Sequence, residues 1–397
     1  MKILVINAGS STVKYQLINM EDDTVMAKGI CDRIGNEGSN IEFRPMGRDK
    51  IVVEKDMPTH AAAVKIIMEF LTDPEIGVIK SMSEIYAVGH RVVHGGEYFN
   101  KSVIITDEVK KAVEACIPLA PLHNPANLTG ILACEEAMPG VPMVAVFDTA
   151  FHQTMPREAY MYALPMEMYQ KHKIRKYGFH GTSHKYVSER CAALMGRPIE
   201  ELKIITCHLG SGASVCAIKG GKSVDTSMGF TPLDGLVMGT RCGSIDPAVV
   251  THIMEVYGLS TKEVNDLLNK KSGVLGVSEI GCDFRDLELL YYKGNERAIL
   301  ALDMSHYSIK KFIGSYIAAM GGVDAIVFTA GVGENNAFMR KEVLKAFEYL
   351  GVKVDDERNN VRGKEREITT EDSKVKGFLI PTNEELAIAL ETQALVK

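Results

Sequence analysis

The sequence predicts an α/β protein made of two domains with the same topology, and two observations carry this prediction. Short apolar runs of strand length alternate along the chain with longer segments of helical periodicity. A shift of 201 residues lays Lys203–Val215 on Lys2–Lys14, so that a strand, a glycine-rich tip and a returning strand occur twice. The chain has 397 residues, 46% of them hydrophobic, so both domains can have a core of their own. Chance similarity of two Gly-Ser turns is the alternative explanation of the repeat.

The individual elements follow from the same patterns. Besides the opening hairpin, strands are predicted at Ile85–Val93, Val141–Phe147, Lys203–Cys207, Val215–Ile218, Ala325–Thr329 and Phe378–Ile380. Helices are predicted at His60–Leu71, Pro125–Met138, Ser183–Met195, Pro247–Tyr257, Asn295–Met320, Asn336–Leu350 and Asn383–Gln393. Two helix starts carry capping-box patterns, Ser260 with Glu263 and Thr382 with Glu385. The stretch Ser227–Pro247 is too long for a plain connection in a compact domain, which favours a functional loop.

Composition excludes several classes of protein. The formal net charge of −6 gives no electrostatic footprint for nucleic acid. No apolar run approaches the length that a membrane helix needs, and the start lacks the apolar core of a signal peptide, so a cytoplasmic protein is expected. The eight cysteines are scattered with no CxxC pair. This spacing argues against a zinc ribbon, a redox dithiol or a disulfide framework.

The opening hairpin tip, Asn7–Ser11, is a candidate phosphate-binding site. Glycine tolerates unusual φ values and has no Cβ, so Gly9 lets backbone N–H groups approach an anion. Lys14 adds a mobile positive charge. The GxxxxGK[ST] pattern is absent and the chain continues as a strand, so this is not a P-loop. A plain hairpin turn is the alternative, but two such tips half a chain apart suggest duplicated domains that face each other across a shared phosphate.

A third glycine cluster, Thr329–Asn336, follows the strand Ala325–Thr329 and opens a helix. It lacks the third glycine of a GxGxxG dinucleotide fingerprint. Close approach of the backbone to the anionic or flat part of a ligand is the functional interpretation, favoured by the helix N-terminus. An ordinary strand-to-helix turn is the alternative.

Four further residues could carry chemistry. Arg91 ends an apolar strand and Arg241 lies inside the long glycine-rich loop, and their planar guanidinium groups suit carboxylate and phosphate oxygens, although a surface or ion-pair role is the alternative. Asp148 directly follows an apolar strand, where it could hold Mg²⁺, usually through water, or cap a helix. His180 stands between a glycine turn and a helix start, and could either cap that helix or face a transferring phosphoryl group.

Several long motifs, in order, resemble the acetate kinase (acetokinase) family over the chain from residue 2 to the last helix. They are Asn7–Ser11, His90–Gly96, Phe147–His152, Tyr177–His184, Met228–Leu236 and Thr382–Glu385. The resemblance implies two actin-like ATPase (ribonuclease H-like) domains of duplicated topology closing over a nucleotide cleft, 1–150 with 385–397 and 151–384. It also implies a homodimer, with its surface on the second domain, and reversible transfer of the ATP γ-phosphoryl group to acetate, giving acetyl phosphate and ADP.

The resemblance also implies a role for each matching residue. Arg91 matches the substrate-binding arginine, Asp148 the acidic catalytic position, and His180 and Arg241 the transition-state stabilisers. Asn7 and Glu384 match the Mg²⁺ site, where Mn²⁺ can substitute. The acetate methyl pocket is matched by Val93, Leu122, Phe179 and Pro232. The nucleotide site is matched by Lys14, His208, Leu209, Gly210, Ser211, Gly212, Asp283, Phe284, Arg285, Gly331, Val332, Gly333, Glu334 and Asn335. Two departures, Thr12 for Ser and Ser211 for Asn, affect the expected affinity for the phosphate donor.

Two rival functions stay open at the level of sequence. The first is a propionate or butyrate kinase of the same family, because one added methylene changes binding in an apolar pocket by only about 1 to 3 kcal/mol. The second is an ATP-gated chaperone or filament subunit that shares the two-domain clamp. Such a protein would have no need of Arg91, Arg241 and a methyl-sized apolar pocket directed at the γ-phosphate.

Overall fold

The computed structural model describes all residues, 1–397, and the chain divides into two compact units. The first unit is Met1–Gln153 together with Asn383–Lys397, and the second is Thr154–Thr382. The chain therefore leaves the first unit and returns to it with its last helix. No helix combines the length and the apolar character that crossing a bilayer would require.

Each unit contains one mixed β-sheet. The strands of the first are β1 (Lys2–Ala8), β2 (Val13–Asn19), β3 (Thr24–Asp32), β4 (Asn40–Pro45), β5 (Ile51–Glu54), β6 (Ile85–Val92), β7 (Val103–Ile104) and β8 (Met143–Phe147). Those of the second are β9 (Lys203–Leu209), β10 (Ala213–Lys219), β11 (Lys222–Thr226), β12 (Ala325–Thr329), β13 (Arg366–Glu367) and β14 (Lys376–Leu379). The sheet orders are β5-β4-β3-β2-β1-β6-β8-β7 and β11-β10-β9-β12-β14-β13.

Helices cover these sheets. They are α1 (His60–Thr72), α2 (Asp107–Ala115), α3 (Asn124–Ala137), α4 (Arg157–Tyr160), α5 (Met166–His172), α6 (Gly181–Met195), α7 (Pro247–Tyr257), α8 (Thr261–Lys270), α9 (Gly273–Ser278), α10 (Phe284–Tyr292), α11 (Glu296–Met320), α12 (Ala330–Asn335), α13 (Ala337–Lys345), α14 (Asp356–Asn359) and α15 (Glu384–Val396). The prediction of an α/β protein with two domains is confirmed.

The two sheets share one topology, as the repeat in the sequence predicted. The strands β3-β2-β1-β6-β8 and β11-β10-β9-β12-β14 stand in the same order, with the first three antiparallel and the last three parallel to one another. One detail of the sequence alignment is wrong. Asn7 pairs with Lys14 in the first hairpin, but His208, its counterpart, pairs with Ser214. The second tip is one residue shorter, so Ser214 occupies the position of Lys14.

The first strand is buried on both faces, which explains its unbroken apolar run. Leu4 and Ile6 pack into the large core beneath α1. Ile3 and Val5 face the other side, where Ile388 of α15 packs on them. The last helix of the chain therefore completes the core of the first unit, and its N-terminal residues are carried into that unit with it.

One of the two predicted capping boxes is present and the other is not. The Ser260–Glu263 capping box is present. The predicted box of Thr382 with Glu385 is wrong, because Asn383 is the N-cap of α15 and its side chain accepts the N–H of Leu386 at 3.1 Å. The Thr382 hydroxyl is instead hydrogen-bonded to Ser183 at 2.8 Å, which leaves it unavailable as a cap.

The helix predicted at Asn336–Leu350 is shorter in the structure. Asn336 is the N-cap of α13, which ends at Lys345, and a separate 3-10 turn follows at Glu348–Leu350. The long stretch Ser227–Pro247 contains no helix or strand before α7 begins at Pro247, as predicted.

Candidate active site

The carboxyl ends of three neighbouring parallel strands bring together the polar residues predicted for the first unit. Strands β1, β6 and β8 run parallel, and Asn7, Arg91 and Asp148 stand at or just beyond their ends. Ligand-binding groups commonly occupy this edge of an α/β sheet. The N-terminus of α15 brings Glu384 to the same place, close enough for Arg91 to lower its pKa. We call these four residues the Arg91 cluster.

Arg91 is held in a fixed orientation by Asp148. Its Nε donates to Oδ1 at 3.0 Å and its Nη2 to Oδ2 at 2.5 Å, a bidentate pair with an almost fully buried carboxylate. The third nitrogen, Nη1, makes only a long contact of 3.4 Å with Asn7 Oδ1. The ion pair that was the alternative role for Arg91 is therefore present. It occupies Nε and Nη2, and it leaves the Nη1 edge of the guanidinium group available to an incoming anion.

The Arg91 cluster offers the hard oxygen ligands that Mg²⁺ prefers. The pKa of Glu384 is raised to about 7, mainly by burial and also by the neighbouring carboxylates Asp148 and Glu385, while Arg91 and Lys14 act to lower it. A divalent cation beside Glu384 and Asn7 would relieve this repulsion between carboxylates. The donor set therefore fits the metal implied by the family resemblance.

Buried amide side chains, which the sequence did not single out, position the segment after Arg91. Asn127 accepts the N–H of Val93 at 3.0 Å and donates to the carbonyl of Ala8 at 2.7 Å. Asn124 accepts the N–H of His94 at 3.2 Å and donates to its carbonyl at 2.9 Å. The Asn-Pro-Ala-Asn start of α3 could have pointed to them, since an N-cap alone does not need two amides.

The opening tip is a tight turn, as predicted, but Gly9 is needed there for a different reason. Its N–H donates to the carbonyl of Thr12 at 2.8 Å. Gly9 does not adopt a left-handed φ. A Cβ at this position would lie 2.8 Å from Thr12 Oγ1, so the requirement is for space. Lys14, on the returning strand, is exposed and carries its charge near Glu384.

The predicted methyl-pocket residues are divided between the units. In the first unit, Val93 is buried and lies two residues after Arg91, whereas Leu122 is 77% exposed. In the second unit, Phe179 is buried and Pro232 is half-buried. The structure therefore places one of these apolar residues on the segment that follows Arg91 and two on the segments that carry His180 and Arg241.

In the second unit, His180 and Arg241 meet at the short glycine tip. A Cβ built on Gly212 would lie 3.2 Å from Arg241 Nη1 and 3.8 Å from His180 Cε1. The His180 ring stacks on the ring of His208, with centroids 4.0 Å apart. Gly212 therefore leaves the space through which a ligand could reach both side chains.

Arg241 is a partly buried cation without a carboxylate partner. Its Nη1 donates to the Pro232 carbonyl at 3.1 Å and approaches Met238 Sδ at 3.8 Å. Burial lowers the pKa of its guanidinium group. Because a desolvated charge is costly unless it is paired, this arrangement favours an anionic ligand.

The long loop that carries Arg241 is fixed by backbone hydrogen bonds. The Met238 N–H donates to the Arg241 carbonyl at 3.1 Å and closes a turn. The carbonyls of Met238 and Gly239 accept from Val274 and Leu275 at the start of α9, at 2.9 Å each. The prediction that this loop is functional is consistent with a backbone that holds one arginine in place.

His180 does not cap the helix that it precedes. It is the N-cap of α6 in a left-handed conformation, φ 58°, but its side chain makes no capping hydrogen bond. Its Nδ1 is instead hydrogen-bonded to Ser214 Oγ at 2.9 Å. The capping alternative is therefore wrong, and a left-handed backbone at a non-glycine residue is a form of strain that is often found at functional sites.

Several predicted nucleotide residues line one pocket of the second unit. Leu209, Gly210, Phe284 and Val332 line a small pocket that is partly open to solvent. Gly331–Asn335 lies in α12, which follows β12 as predicted.

The other predicted nucleotide residues do not line this pocket, although they are close in sequence to residues that do, and most of them have partners of their own. Glu334 accepts the N–H groups of Ala330 and Thr382 at 2.9 and 3.1 Å, and so fixes the start of α12. Asp283 caps α10 and forms an exposed ion pair with Arg285 at 2.6 Å. Ser211 is exposed at the glycine tip. The Asp283–Arg285 pair would have to open, or present its outer edge, to contact a nucleotide.

Comparison with known proteins agrees with these features. The acetokinase family profile matches residues 2–390. The acetate kinase of Acetivibrio thermocellus is 61% identical over 397 residues, covering 100% of both chains. The crystal structure of Porphyromonas gingivalis acetate kinase is similar with a TM-score of 0.97 and 52% identity over 100% of both chains. A propionate kinase from Francisella tularensis is similar with a TM-score of 0.91 and 44% identity over 99% of both chains.

Sequence and fold thus agree from the first strand to the last helix, and the chain belongs to the acetokinase family.

Proposed function

We propose that this protein is an acetate kinase, which transfers the γ-phosphoryl group of ATP reversibly to acetate and gives acetyl phosphate and ADP. The observation that carries the proposal is Arg91, oriented by Asp148 and followed two residues later by the buried Val93. A fixed guanidinium edge beside a small apolar wall suits a short carboxylate, whose charge and methyl group need these two surfaces.

Acetate is already a carboxylate at neutral pH, so it needs no general base before it attacks phosphorus. The enzyme must instead bring two anions together and stabilise the charge on the transferring group. Both oxygens of Asp148 accept hydrogen bonds from Arg91, which supports a role in orienting this arginine. Proton transfer by Asp148 is not required.

Arg91 and Arg241, one in each unit, act in this proposal on the same phosphoryl group during a direct in-line transfer. The desolvated guanidinium of Arg241, which lacks a carboxylate partner, supports its part. His180 adds a hydrogen-bond donor to the transition state from beside Arg241. The nucleotide lies on the glycine tip at Gly210–Gly212 and on α12.

Mg²⁺ would be held by Asn7 and Glu384, with Asp148 nearby. When bound, it neutralises charge on the phosphate oxygens. The hard oxygen donors and the raised pKa of Glu384 support this assignment. Mn²⁺, which accepts the same ligands, is expected to substitute.

A homodimer is part of the proposal. Large apolar side chains are exposed on three helices of the second unit, namely Val249, Val256, Tyr257, Leu289, Tyr292, Leu300, Met304 and Tyr307. Such residues in number favour a protein interface over a free surface.

A propionate kinase is the second candidate, because the relative from Francisella tularensis bears that name. The ratio of kcat/KM for acetate, propionate and butyrate separates the two. Acetate preferred by about tenfold or more over propionate supports the first candidate.

The direct test is to incubate the protein with ATP, Mg²⁺ and acetate and to trap the product with hydroxylamine. Acyl hydroxamate that forms in step with ADP supports the proposal. ADP that forms without hydroxamate would instead support an ATP-hydrolysing chaperone or filament protein and contradict it. Omitting acetate provides the control.

A further inference from the structure

A chain of four hydrogen-bonded side chains leads from the core of the second unit to His180. His180 Nδ1 is 2.9 Å from Ser214 Oγ, and the same oxygen is 2.7 Å from His184 Nε2. His184 Nδ1 is in turn 2.7 Å from Thr206 Oγ1. Thr206, His184 and Ser214 are fully buried, so no bulk water reaches these groups.

This chain can be polarised in only two directions. Ser214 has a single O–H and its side chain makes no hydrogen bond besides these two, so accepting from both histidines would leave its buried O–H without an acceptor. Ser214 therefore donates to one histidine and accepts from the other. In one direction, Thr206 donates to His184 Nδ1, His184 Nε2–H donates to Ser214, and Ser214 donates to His180 Nδ1. In the other, every hydrogen bond is reversed and His180 carries its proton on Nδ1.

Thr206, at the buried end, decides between the two directions. Its only side-chain hydrogen bond is the one to His184. In the reversed direction Thr206 would accept from His184, and its own O–H would be buried without an acceptor. A buried donor without a partner is rare and costly, whereas an oxygen with a spare lone pair is tolerated. The direction that starts at the Thr206 O–H is therefore favoured.

We propose that Thr206, His184 and Ser214 are positioning residues that fix neutral His180 in the tautomer with its proton on Nε2. His180 then presents a ready N–H donor to the transferring phosphoryl group without having to become charged. A histidine in the other tautomer would present a lone pair to an anion and repel it. The role assigned to the donor rests on the proposed kinase activity, but the tautomer itself does not.

The experiment compares Thr206→Val with Thr206→Ser in the full-length protein. Valine has nearly the same shape as threonine but no donor, and serine keeps the hydroxyl. Histidine is labelled with ¹⁵N in both ring positions, and the His180 signals are assigned by their loss in His180→Asn. Steady-state kcat and the KM values for ATP and acetate are measured on the same samples.

In the wild type and in Thr206→Ser, we expect His180 to be neutral with Nε2 protonated. In Thr206→Val we expect a mixture of tautomers and a fall in kcat of about tenfold, with the KM values changed little, because a wrong tautomer impairs the transition state more than binding. If Thr206→Val does not fold, Ser214→Ala and Ser214→Thr replace the pair, and only Ser214→Ala should lose the tautomer.

Wild-type His180 protonated on Nδ1, or on both nitrogens at neutral pH, would overturn the proposal. So would one tautomer and one kcat shared by Thr206→Val and Thr206→Ser. A protein that makes no acyl phosphate, yet shows His180 with Nε2 protonated, would contradict the proposed function and support the hydrogen-bond chain. An active kinase with the other tautomer would do the reverse.

Discussion

At the scale of single residues, the two arginines of the proposed site differ in how their charge is compensated. Arg91 is paired on two nitrogens with Asp148, whereas Arg241 donates to a carbonyl and has no carboxylate partner. An arginine that is already neutralised serves to orient a substrate. One that is desolvated and unpaired gains most when an anion with growing charge arrives.

Arg241→Ala should therefore lower kcat by about 10³ to 10⁵ and leave the KM for acetate nearly unchanged, because an arginine at a transferring phosphoryl group stabilises mainly the transition state. Steady-state kinetics measure this. Arg197→Ala removes an exposed arginine that pairs with Asp324, and it should have no such effect. A rise in the acetate KM with kcat retained would contradict the assigned role.

Val93→Ala should raise the ratio of kcat/KM for propionate to that for acetate. It removes two methyl groups from the apolar side chain and so leaves more space for the longer acyl group. The expected gain is about threefold to tenfold, in keeping with about 1 kcal/mol per methylene. Val88→Ala, a core substitution in β6, the strand that ends just before Val93, controls for lost stability. An unchanged ratio would show that Val93 does not contact the acyl group.

His90 should make the protein sensitive to acid. Its ring is buried, its Nε2 lacks a partner, and burial lowers its pKa to about 3. As the pH falls, the histidine of the unfolded chain, with a pKa near 6.5, takes up a proton before the buried His90 of the folded protein does. The contribution of neutral His90 to folding stability is therefore complete above about pH 6.5 and is lost as the pH falls toward 3.

The expected loss from His90 is up to about 1.4 kcal/mol of unfolding free energy per pH unit. Urea unfolding between pH 7 and pH 5 measures it. His90→Gln should show a shallower pH dependence than the wild type, while His252→Gln, on an exposed face of α7, should not. Equal slopes in all three proteins would exclude His90 as a source of acid sensitivity.

At the scale of elements, α12 is held by an arginine that no sequence pattern indicated. Arg340 is fully buried, and its guanidinium donates to the carbonyls of Gly333, Asn359 and Val361 at 2.8, 2.7 and 2.9 Å and to Asn359 Oδ1 at 2.9 Å. Burial lowers its pKa to about 10, so it stays charged at neutral pH.

Arg340→Met should lower the unfolding free energy by about 3 kcal/mol or more, because it leaves several buried carbonyls without a donor. It should also raise the KM for ATP, since Gly333 belongs to the glycine segment of α12. Urea unfolding and kinetics measure the two effects. Lys341→Met, on the next residue, is the matched control, since Lys341 is only partly buried and pairs with the exposed Asp356. Equal stability of the two variants would refute the role of Arg340.

The central strands and long helices could be predicted because their patterns are strong. Strand β12 and helix α7 have the predicted bounds. The strands β3, β4 and β5 were missed, since their half-exposed faces dilute the apolar signal. The start of α15 was misplaced because the Thr382 hydroxyl binds Ser183, a tertiary contact that local sequence does not encode.

The candidate residues of the site could be named from the sequence, but most of the residues that hold them in place could not. Arg91, Asp148, His180 and Arg241 stand in recognisable motifs, whereas the links that fix them join distant segments. Ser214 is an ordinary strand residue by pattern, and only the fold places it against His180. Asn127 likewise joins Ala8 and Val93 across the sheet.

At the scale of the whole molecule, duplication explains why one chain holds two sheets of the same order with two glycine tips. The tips then diverged. The first keeps Lys14 on its returning strand, and the second, one residue shorter, has Ser214 there. The position that holds the charged Lys14 in the first hairpin thus holds, in the second, the buried Ser214 that is hydrogen-bonded to His180.

The exposed apolar residues of the second unit predict a dimer in solution. Sedimentation velocity should show a species of twice the 43.6 kDa chain mass. Val256→Glu combined with Tyr307→Glu should shift it to the monomer, since buried charges without partners oppose association. Tyr98→Glu, equally exposed on the first unit, should not. A monomeric wild type would contradict this expectation.

The central claim is that Arg91 and Arg241 act on one transferring phosphoryl group. A crystal structure of the protein with ADP, Mg²⁺, acetate and an aluminium fluoride, which imitates that group, tests it most directly. The account predicts guanidinium nitrogens of both arginines at about 3 Å from the fluoride, with the acetate oxygen in line. A fluoride contacted by only one of them, with acetate bound elsewhere, would contradict it.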